Sequence, residues 1–198
     1  MRKIKNPNFK IQNPKLKFKN LIFVLAVLIF AWVILFISFG KTLASTTPPA
    51  LPTPASVDYF LAYPGILPGN FLYPLKMVRD RIWLFLTPDP LQKAQTLLLF
   101  ADKRLGAGKA LIEKGKEDLG ITTLSKAEKY LEKALIQGKI AKQKGEDTTT
   151  FFNTLEKASQ KHQEVLEEIK EKLSEEGKKA LEEVIKYPKR IYKEAQEL

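Results

Sequence analysis

An uninterrupted apolar stretch, LIFVLAVLIFAWVILFISF at residues 21–39, limits what this chain can fold into more than any other feature. Its one polar side chain is Ser38. As an α-helix the stretch would be about 28 Å long, which matches the hydrocarbon thickness of a bilayer. A buried helix of a globular domain would show a polar face, and this stretch has none. We therefore expect a transmembrane helix over residues 20–40.

The charges on either side of this helix predict its orientation. Residues 1–19 contain no acidic residue, and only Lys41 follows the apolar stretch closely. Seven cations lie in the tail: Arg2, Lys3, Lys5, Lys10, Lys15, Lys17 and Lys19. Cations stay on the cytoplasmic side, so residues 1–19 form a basic cytoplasmic tail and the rest of the chain lies outside. A signal peptide cleaved after Ala44 is the alternative, but its apolar region is usually only about 7–15 residues long.

The net charge of +11 belongs mainly to this tail. Residues 58–198 contain 25 Lys and Arg against 22 Asp and Glu, so this part has no large positive field for a phosphate backbone. We therefore expect no nucleic-acid partner. The chain has no cysteine, which excludes disulfides, thiol nucleophiles and cysteine–metal sites.

Residues 41–57 form a linker rich in Pro, Thr, Ser and Ala, a composition typical of an extended spacer. Residues 58–198 then form an extracytoplasmic domain. Apolar residues recur there at three- and four-residue steps, as in Leu98, Ala101 and Leu105, and this periodicity predicts helices. The expected helices span residues 74–86, 89–115, 118–144, 148–173 and 175–197, the last with a break near Pro188.

Three of these helices have recognisable start signals. Asp89-Pro90 and Ser174 are typical of helix N-termini. For the helix over 118–144 we favour Asp118 over the capping-box spacing at Ser125, because Ile121 is already in phase. No stretch alternates with period two, so the predicted fold is all-α: a transmembrane helix, a linker and an antiparallel bundle of long helices. The spacing leaves open whether the bundle packs on itself or pairs with a second copy.

Residues 58–87 differ from the rest of the domain because they combine aromatics, leucines and prolines; we call them the box. One interpretation is that the box packs along the helices and closes the core. The other is that its basic and aromatic residues contact the membrane surface or an envelope partner. We favour the first. The candidate packing or interaction residues are Tyr63, Pro64, Gly65, Leu67, Pro68, Tyr73, Pro74, Lys76, Arg79, Arg81 and Trp83.

No catalytic, cofactor-binding or metal-binding constellation stands out in the sequence. Gly106-Ala107-Gly108-Lys109 is followed by Ala110, where a phosphate-binding loop has Ser or Thr, and it lies within a helical pattern. His162 is the only histidine and falls among the apolar positions of its helix, so we interpret it as a partly buried packing residue. We expect no enzyme and no cofactor.

Several motifs lie in and after the box. They are Tyr63-Pro64-Gly65-Ile66-Leu67-Pro68, Leu72-Tyr73-Pro74-Leu75-Lys76, Arg79-Asp80-Arg81, Asp89-Pro90 with Ala101-Asp102-Lys103-Arg104-Leu105, and Lys161-His162-Gln163-Glu164-Val165-Leu166. This set resembles a bacterial domain family of unknown function, with Gly69-Asn70 as a mild departure. The resemblance implies a helical, extracytoplasmic domain, often attached to one N-terminal membrane segment. It implies no activity, substrate or cofactor.

Taken together, these features favour a membrane-anchored structural or binding module of the cell envelope. The membrane is its expected partner, and an envelope protein or a second copy of the chain is a further candidate. The alternative is a regulatory or sensor protein that uses the basic cytoplasmic tail.

Overall fold

A computed structural model describes residues 57–198, and all regular structure in this range is helical. The helices are α1 (Tyr73–Leu86), α2 (Pro90–Glu113), α3 (Glu117–Gln143), α4 (Thr149–Lys170) and α5 (Glu175–Gln196). The predicted all-α class is therefore confirmed for this range. The predicted tail, the transmembrane helix and all but the last residue of the linker lie outside the described residues. Between residues 57 and 198 no helix is both long and apolar enough to span a bilayer.

The helix ends follow from local chemistry. The carboxylate of Asp89 accepts a hydrogen bond from the backbone N–H of Gln92 at 2.6 Å, which confirms the predicted start of α2. Ser174 caps α5 in the same way, by accepting from the N–H of Gly177 at 3.1 Å. Asp118 does not cap α3, because that helix begins one residue earlier and the carboxylate lies in its first turn, where it still favours the helix dipole.

Two buried clusters form the core of the bundle. The first joins the beginning of α2, the end of α3, the beginning of α4 and the end of α5. The second joins the opposite ends of the same helices. The first contains Ala94, Leu98, Leu131, Leu135, Phe152, Leu155 and Ile191, and the second contains Leu105, Leu124, Ala127, Val165, Ile169, Leu181 and Ile185. The predicted apolar stripes of α2–α5 therefore face inward.

A close approach between α2 and α3 depends on glycine. A Cβ atom on Gly108 would lie 2.5 Å from Leu124 Cδ2 and 3.2 Å from the carbonyl oxygen of Gly120. Gly108 and Gly120 lie where the two backbones pack directly against each other, which leaves no room for a side chain. Gly108 thus has a packing reason that the sequence did not indicate.

The expected break near Pro188 is wrong: α5 continues through this residue from Glu175 to Gln196. Proline removes one hydrogen bond from the helix ladder, which is costly in an isolated helix. Pro188 is itself buried, and its neighbours Val184, Ile185 and Ile191 bury the apolar face of α5 on both sides of it. We attribute the continuity of the helix to this packing.

Candidate functional site

The part of the box before its turn, residues 58–66, has no regular secondary structure; we call it the extended part. One side of it packs on the bundle. The hydroxyl of Tyr59 donates to Asp102 Oδ2 at 2.7 Å, and the backbone N–H of Val57 donates to Glu164 Oε1 at 2.8 Å. Pro68 is buried, and the ring of Pro64 lies against Gly106, where an added Cβ would meet Pro64 Cδ at 3.5 Å. Tyr59, Pro64 and Pro68 thus contact the bundle as the packing interpretation of the box predicts, and Val57 just before the box contacts it as well.

A tight turn leads from this segment into α1. The N–H of Asn70 donates to the carbonyl of Leu67 at 3.2 Å, and Gly69 has a φ of +90°, as a type II turn requires. Pro74 follows in the first turn of α1, where its missing N–H has no cost. Leu67 and Tyr73 are half-buried. The chemistry of the turn was thus readable from the sequence.

Lys76 ties α1 back to the extended part of the box. Its ammonium donates to the carbonyl oxygens of Pro64 at 2.8 Å and Ile66 at 3.2 Å, and the backbone between them bends at Gly65, whose φ is +68°. Burial lowers the pKa of Lys76. This side chain therefore holds the box in place.

The other side of the box faces solvent. Tyr63 is 84% exposed, so the packing interpretation is wrong for this candidate residue, and Leu72 is 41% exposed. Phe60 and Phe71 are exposed as well. The physical reason is that only one side of the extended part contacts the bundle, whereas Leu72 lies at the N-cap of α1 in a helical conformation.

Helix α1 exposes its apolar side chains and buries a charged one. Leu75, Val78, Ile82 and Phe85 form a continuous stripe that is between 53% and 85% exposed; we call this stripe the outer face of α1. Asp80 is the one buried residue of the helix and points toward the bundle. A helix that packs on a core usually presents the opposite pattern.

Aromatic and basic side chains border the outer face. Trp83 is 57% exposed, and Leu86 extends the apolar surface at the end of the helix. Arg79 and Arg81 are exposed, and the guanidinium of Arg79 also contacts Asp80 at 2.7 Å. The structure therefore exposes Arg79, Arg81 and Trp83, three of the six candidate residues on α1, beside the outer face.

A buried charge pair fastens α1 to α2. The guanidinium of Arg104 lies 3.8 Å from Asp80 Oδ2, and both side chains are almost fully buried. Arg104 also donates to the carbonyl of Phe100 at 3.0 Å and stacks on the ring of Tyr130, 3.9 Å from its centroid. These contacts compensate for part of the desolvation of the charge and fix which side of α1 faces the bundle.

A second buried polar centre surrounds His162, which is fully buried. Its Nδ1 lies 2.8 Å from Glu128 Oε1, and its Nε2 lies 3.1 Å from Asp102 Oδ1. Burial by itself lowers the pKa of His162, but the charge of Glu128 and the hydrogen bonds with both carboxylates outweigh it and raise the pKa to about 9. The imidazole is therefore doubly protonated and donates to both carboxylates.

This second centre joins four elements. Asp102 lies on α2, Glu128 on α3 and His162 on α4, while Tyr59 brings in the extended part of the box. A cleft of about 260 Å³ beside Tyr59 and Asp102 is lined otherwise by Gln95, Leu98, Leu99, Thr150, Phe151 and Thr154. Within the described range, no cluster of three or more His, Cys, Asp or Glu side chains is placed to hold a metal ion. We interpret the centre as a structural ionic link between these elements.

The sequence interpretation missed the partners of His162, although a signal for them exists. Asp102 lies four residues after Leu98 and three before Leu105, so it occupies a position of the apolar stripe of α2. Glu128 is placed in the same way between Leu124 and Leu131. Asp102, Glu128 and His162 thus each lie in phase with the apolar stripe of their helix. Three ionisable residues placed in this way indicate a shared buried site.

The model of a family described as Domain of unknown function (DUF5667) matches residues 65–176, which is more than half of the chain. The chain belongs to the DUF5667 family. The match covers the turn of the box, α1–α4, the buried Asp80–Arg104 pair and the three charged members of the His162 centre. No curated protein and no solved structure matches the chain. For this DUF5667 protein the comparison thus supports a domain of unknown function, as the resemblance implied, and its membrane placement stays a prediction.

Proposed function

We propose that this DUF5667 protein is a single-pass membrane-anchored binding module without catalytic activity. It holds an antiparallel helical bundle outside the cytoplasmic membrane and binds its partner through the outer face of α1. The observation that carries this proposal is the exposure of Leu75, Val78, Ile82 and Phe85 side by side on a helix whose other side is fixed to the bundle.

Covering such a surface is favourable, because it removes apolar side chains from water. Covering one large apolar side chain stabilises a complex by about 1.5–3 kcal/mol, and the outer face has four of them. Monomeric soluble proteins rarely leave a large contiguous apolar patch uncovered unless the patch binds a partner. Because Asp80 and Arg104 hold the opposite side of α1, this orientation results from specific contacts.

Placement outside the membrane is supported by the sequence. The apolar segment 21–39 has the length of a bilayer span, and the cations of residues 1–19 favour a cytoplasmic N-terminus. The linker at residues 41–57 then connects the anchor to the domain. The cell membrane is thus the proposed location, with the C-terminal domain extracytoplasmic.

Single cysteines test both parts of the proposal, since the natural chain has none. Val78→Cys places a thiol on the outer face, and Lys186→Cys places one on the exposed side of α5. Spheroplasts that produce either full-length variant are treated with a membrane-impermeant maleimide. We expect Lys186→Cys to label rapidly and Val78→Cys to label at least tenfold more slowly until the protein is denatured.

Two outcomes would contradict the proposal. Equal labelling rates for the two variants would mean that the outer face is free in the cell, which would remove the binding role. Labelling of Lys186→Cys only after lysis would mean that the domain is cytoplasmic, which would reverse the topology.

A further inference from the structure

The exposed charges of α1 itself all have the same sign. Arg79 and Arg81 are exposed on this helix and Lys76 is half-buried, whereas its one acid, Asp80, is buried against Arg104. Lys103 of α2 is close enough to Lys76 to contribute to lowering the pKa of that ammonium. An occupant of the outer face therefore meets the cations of α1 and no exposed carboxylate of that helix, which favours an anionic surface.

The exposed aromatic side chains have the composition of a membrane interface. Trp83 and Phe85 lie on α1, and Tyr63 and Phe71 lie on the exposed side of the box just before it. Indole and phenol rings have an apolar body and a polar end, and they concentrate where hydrocarbon meets water. A helix with an apolar face, flanking cations and aromatics is the pattern of proteins that lie in the plane of the interface.

The proposed transmembrane helix and its short linker keep α1 near a bilayer. Seventeen residues, 41–57, separate the proposed transmembrane helix from the domain. Even fully extended as a proline-rich segment, they reach about 50 Å, at roughly 3.1 Å per residue. A tether of this length gives the surface a high effective concentration, so weak binding by a single helix is sufficient.

We propose that the occupant of the outer face of α1 is the lipid surface of the membrane in which the chain is anchored. Leu75, Val78, Ile82 and Phe85 lie among the upper acyl chains, and the two arginines contact anionic headgroups. This inference rests on the proposed function and names its partner. Pairing with a second copy through α1 is disfavoured, because Arg79 and Arg81 of the two copies would border the same interface.

Trp83 is a natural probe for this arrangement. The chain has only two tryptophans, and Trp32 lies in the apolar segment, so Trp32→Phe leaves Trp83 as the single emitter. The full-length protein is reconstituted into vesicles that contain anionic lipid, with or without lipids brominated near the top of the acyl chains. We expect brominated lipid to reduce Trp83 emission about twofold and aqueous iodide to quench it weakly.

A matched pair of variants assigns the effect to the outer face. Val78→Gln, Ile82→Gln and Phe85→Gln together should abolish quenching by brominated lipid. The control replaces Leu99 and Ile136, two exposed apolar residues on α2 and α3, with Gln and should leave the quenching unchanged. Circular dichroism confirms that both proteins keep their helices.

Two results would overturn the lipid assignment. Trp83 could be quenched fully by iodide and not by brominated lipid, which would mean that α1 stays in water. It could instead be protected from both quenchers at high protein-to-lipid ratio only, which would mean that a second copy covers the face. If Val78→Cys is nevertheless protected in spheroplasts, the binding function stands and its partner is a protein.

Discussion

The charge of His162 is determined by the two carboxylates that contact it. A neutral imidazole donates only one hydrogen bond, but each ring nitrogen of His162 faces a carboxylate oxygen, of Glu128 or of Asp102, and only the doubly protonated ring donates to both. Tyr59 completes the centre: burial and the charge of Asp102 raise the pKa of its hydroxyl, which therefore stays protonated and donates to Asp102. The four residues form one hydrogen-bonded unit.

Because His162 is charged in this unit, we expect the domain to lose stability as the pH rises. The pKa of His162 is about 9 in the folded chain against 6.5 for an unperturbed histidine. A raised folded-state pKa means that the stabilisation is fully present below about pH 6.5 and is lost as the pH increases to about 9. We expect the free energy of unfolding to fall by on the order of 3 kcal/mol across this window. Urea titrations of the full-length chain in detergent at both ends of the window measure it.

His162→Gln is the control for the pH effect, since glutamine does not titrate. This variant should be less stable than the natural chain at low pH and should show a much flatter pH dependence between about pH 6.5 and 9. If the natural chain and the variant have the same slope, another group causes the pH dependence.

The pair of Asp80 and Arg104 supports a second prediction at this scale. Asp80→Ala leaves the buried guanidinium without its carboxylate, so we expect a loss of about 3 kcal/mol in the free energy of unfolding. Arg81→Ala, one residue along and exposed, should change it by less than about 0.5 kcal/mol. Similar losses in the two variants would show that α1 is not held by this pair.

The crossing of α2 and α3 gives a prediction at the level of helices. Gly108→Ala places a methyl group 2.5 Å from Leu124 and should destabilise the bundle by about 1–3 kcal/mol. Gly106→Ala meets only the ring of Pro64, at an ordinary 3.5 Å, and alanine favours the helix by about 0.5–1 kcal/mol. Thermal unfolding should therefore separate two substitutions that lie two residues apart. A lower melting temperature for Gly106→Ala than for Gly108→Ala would contradict the packing of these helices.

The helices themselves were largely predictable, because periodicity reports which residues share a face. The stripes of α2–α5 predicted their ranges to within a few residues, and Asp89 and Ser174 predicted two of their starts. Periodicity does not report what covers a face. The apolar residues of α1 predicted a helix correctly, yet its stripe faces outward because the buried Asp80 turns the other side to the bundle.

The buried polar centres were not predicted, since sequence patterns treat charged residues as solvated. Whether Glu128 is buried depends on His162, a residue 34 positions later that supplies its donor. That pairing exists only once α3 and α4 are packed, so no local property of either helix contains it. The same holds for Pro188, whose place inside α5 depends on burial against other helices.

For the whole molecule, both core clusters lie within the described domain. A fragment of residues 57–198 should therefore fold without the preceding segment, with a helical circular dichroism spectrum and a single cooperative thermal transition. A non-cooperative melt of this fragment would mean that residues 1–56 complete the core.

The same fragment should carry an uncovered apolar surface once it is separated from the proposed anchor. We expect it to bind a hydrophobic dye and to self-associate at high concentration, because the outer face of α1 would then lack the proposed lipid occupant. Val78→Gln, Ile82→Gln and Phe85→Gln together should make the fragment monomeric and reduce dye binding. Its melting temperature should change by no more than about 2 °C, since these side chains contribute little to the core. A fall of 10 °C or more, on the order of 3 kcal/mol for a domain of this size, would mean that the face packs within the bundle.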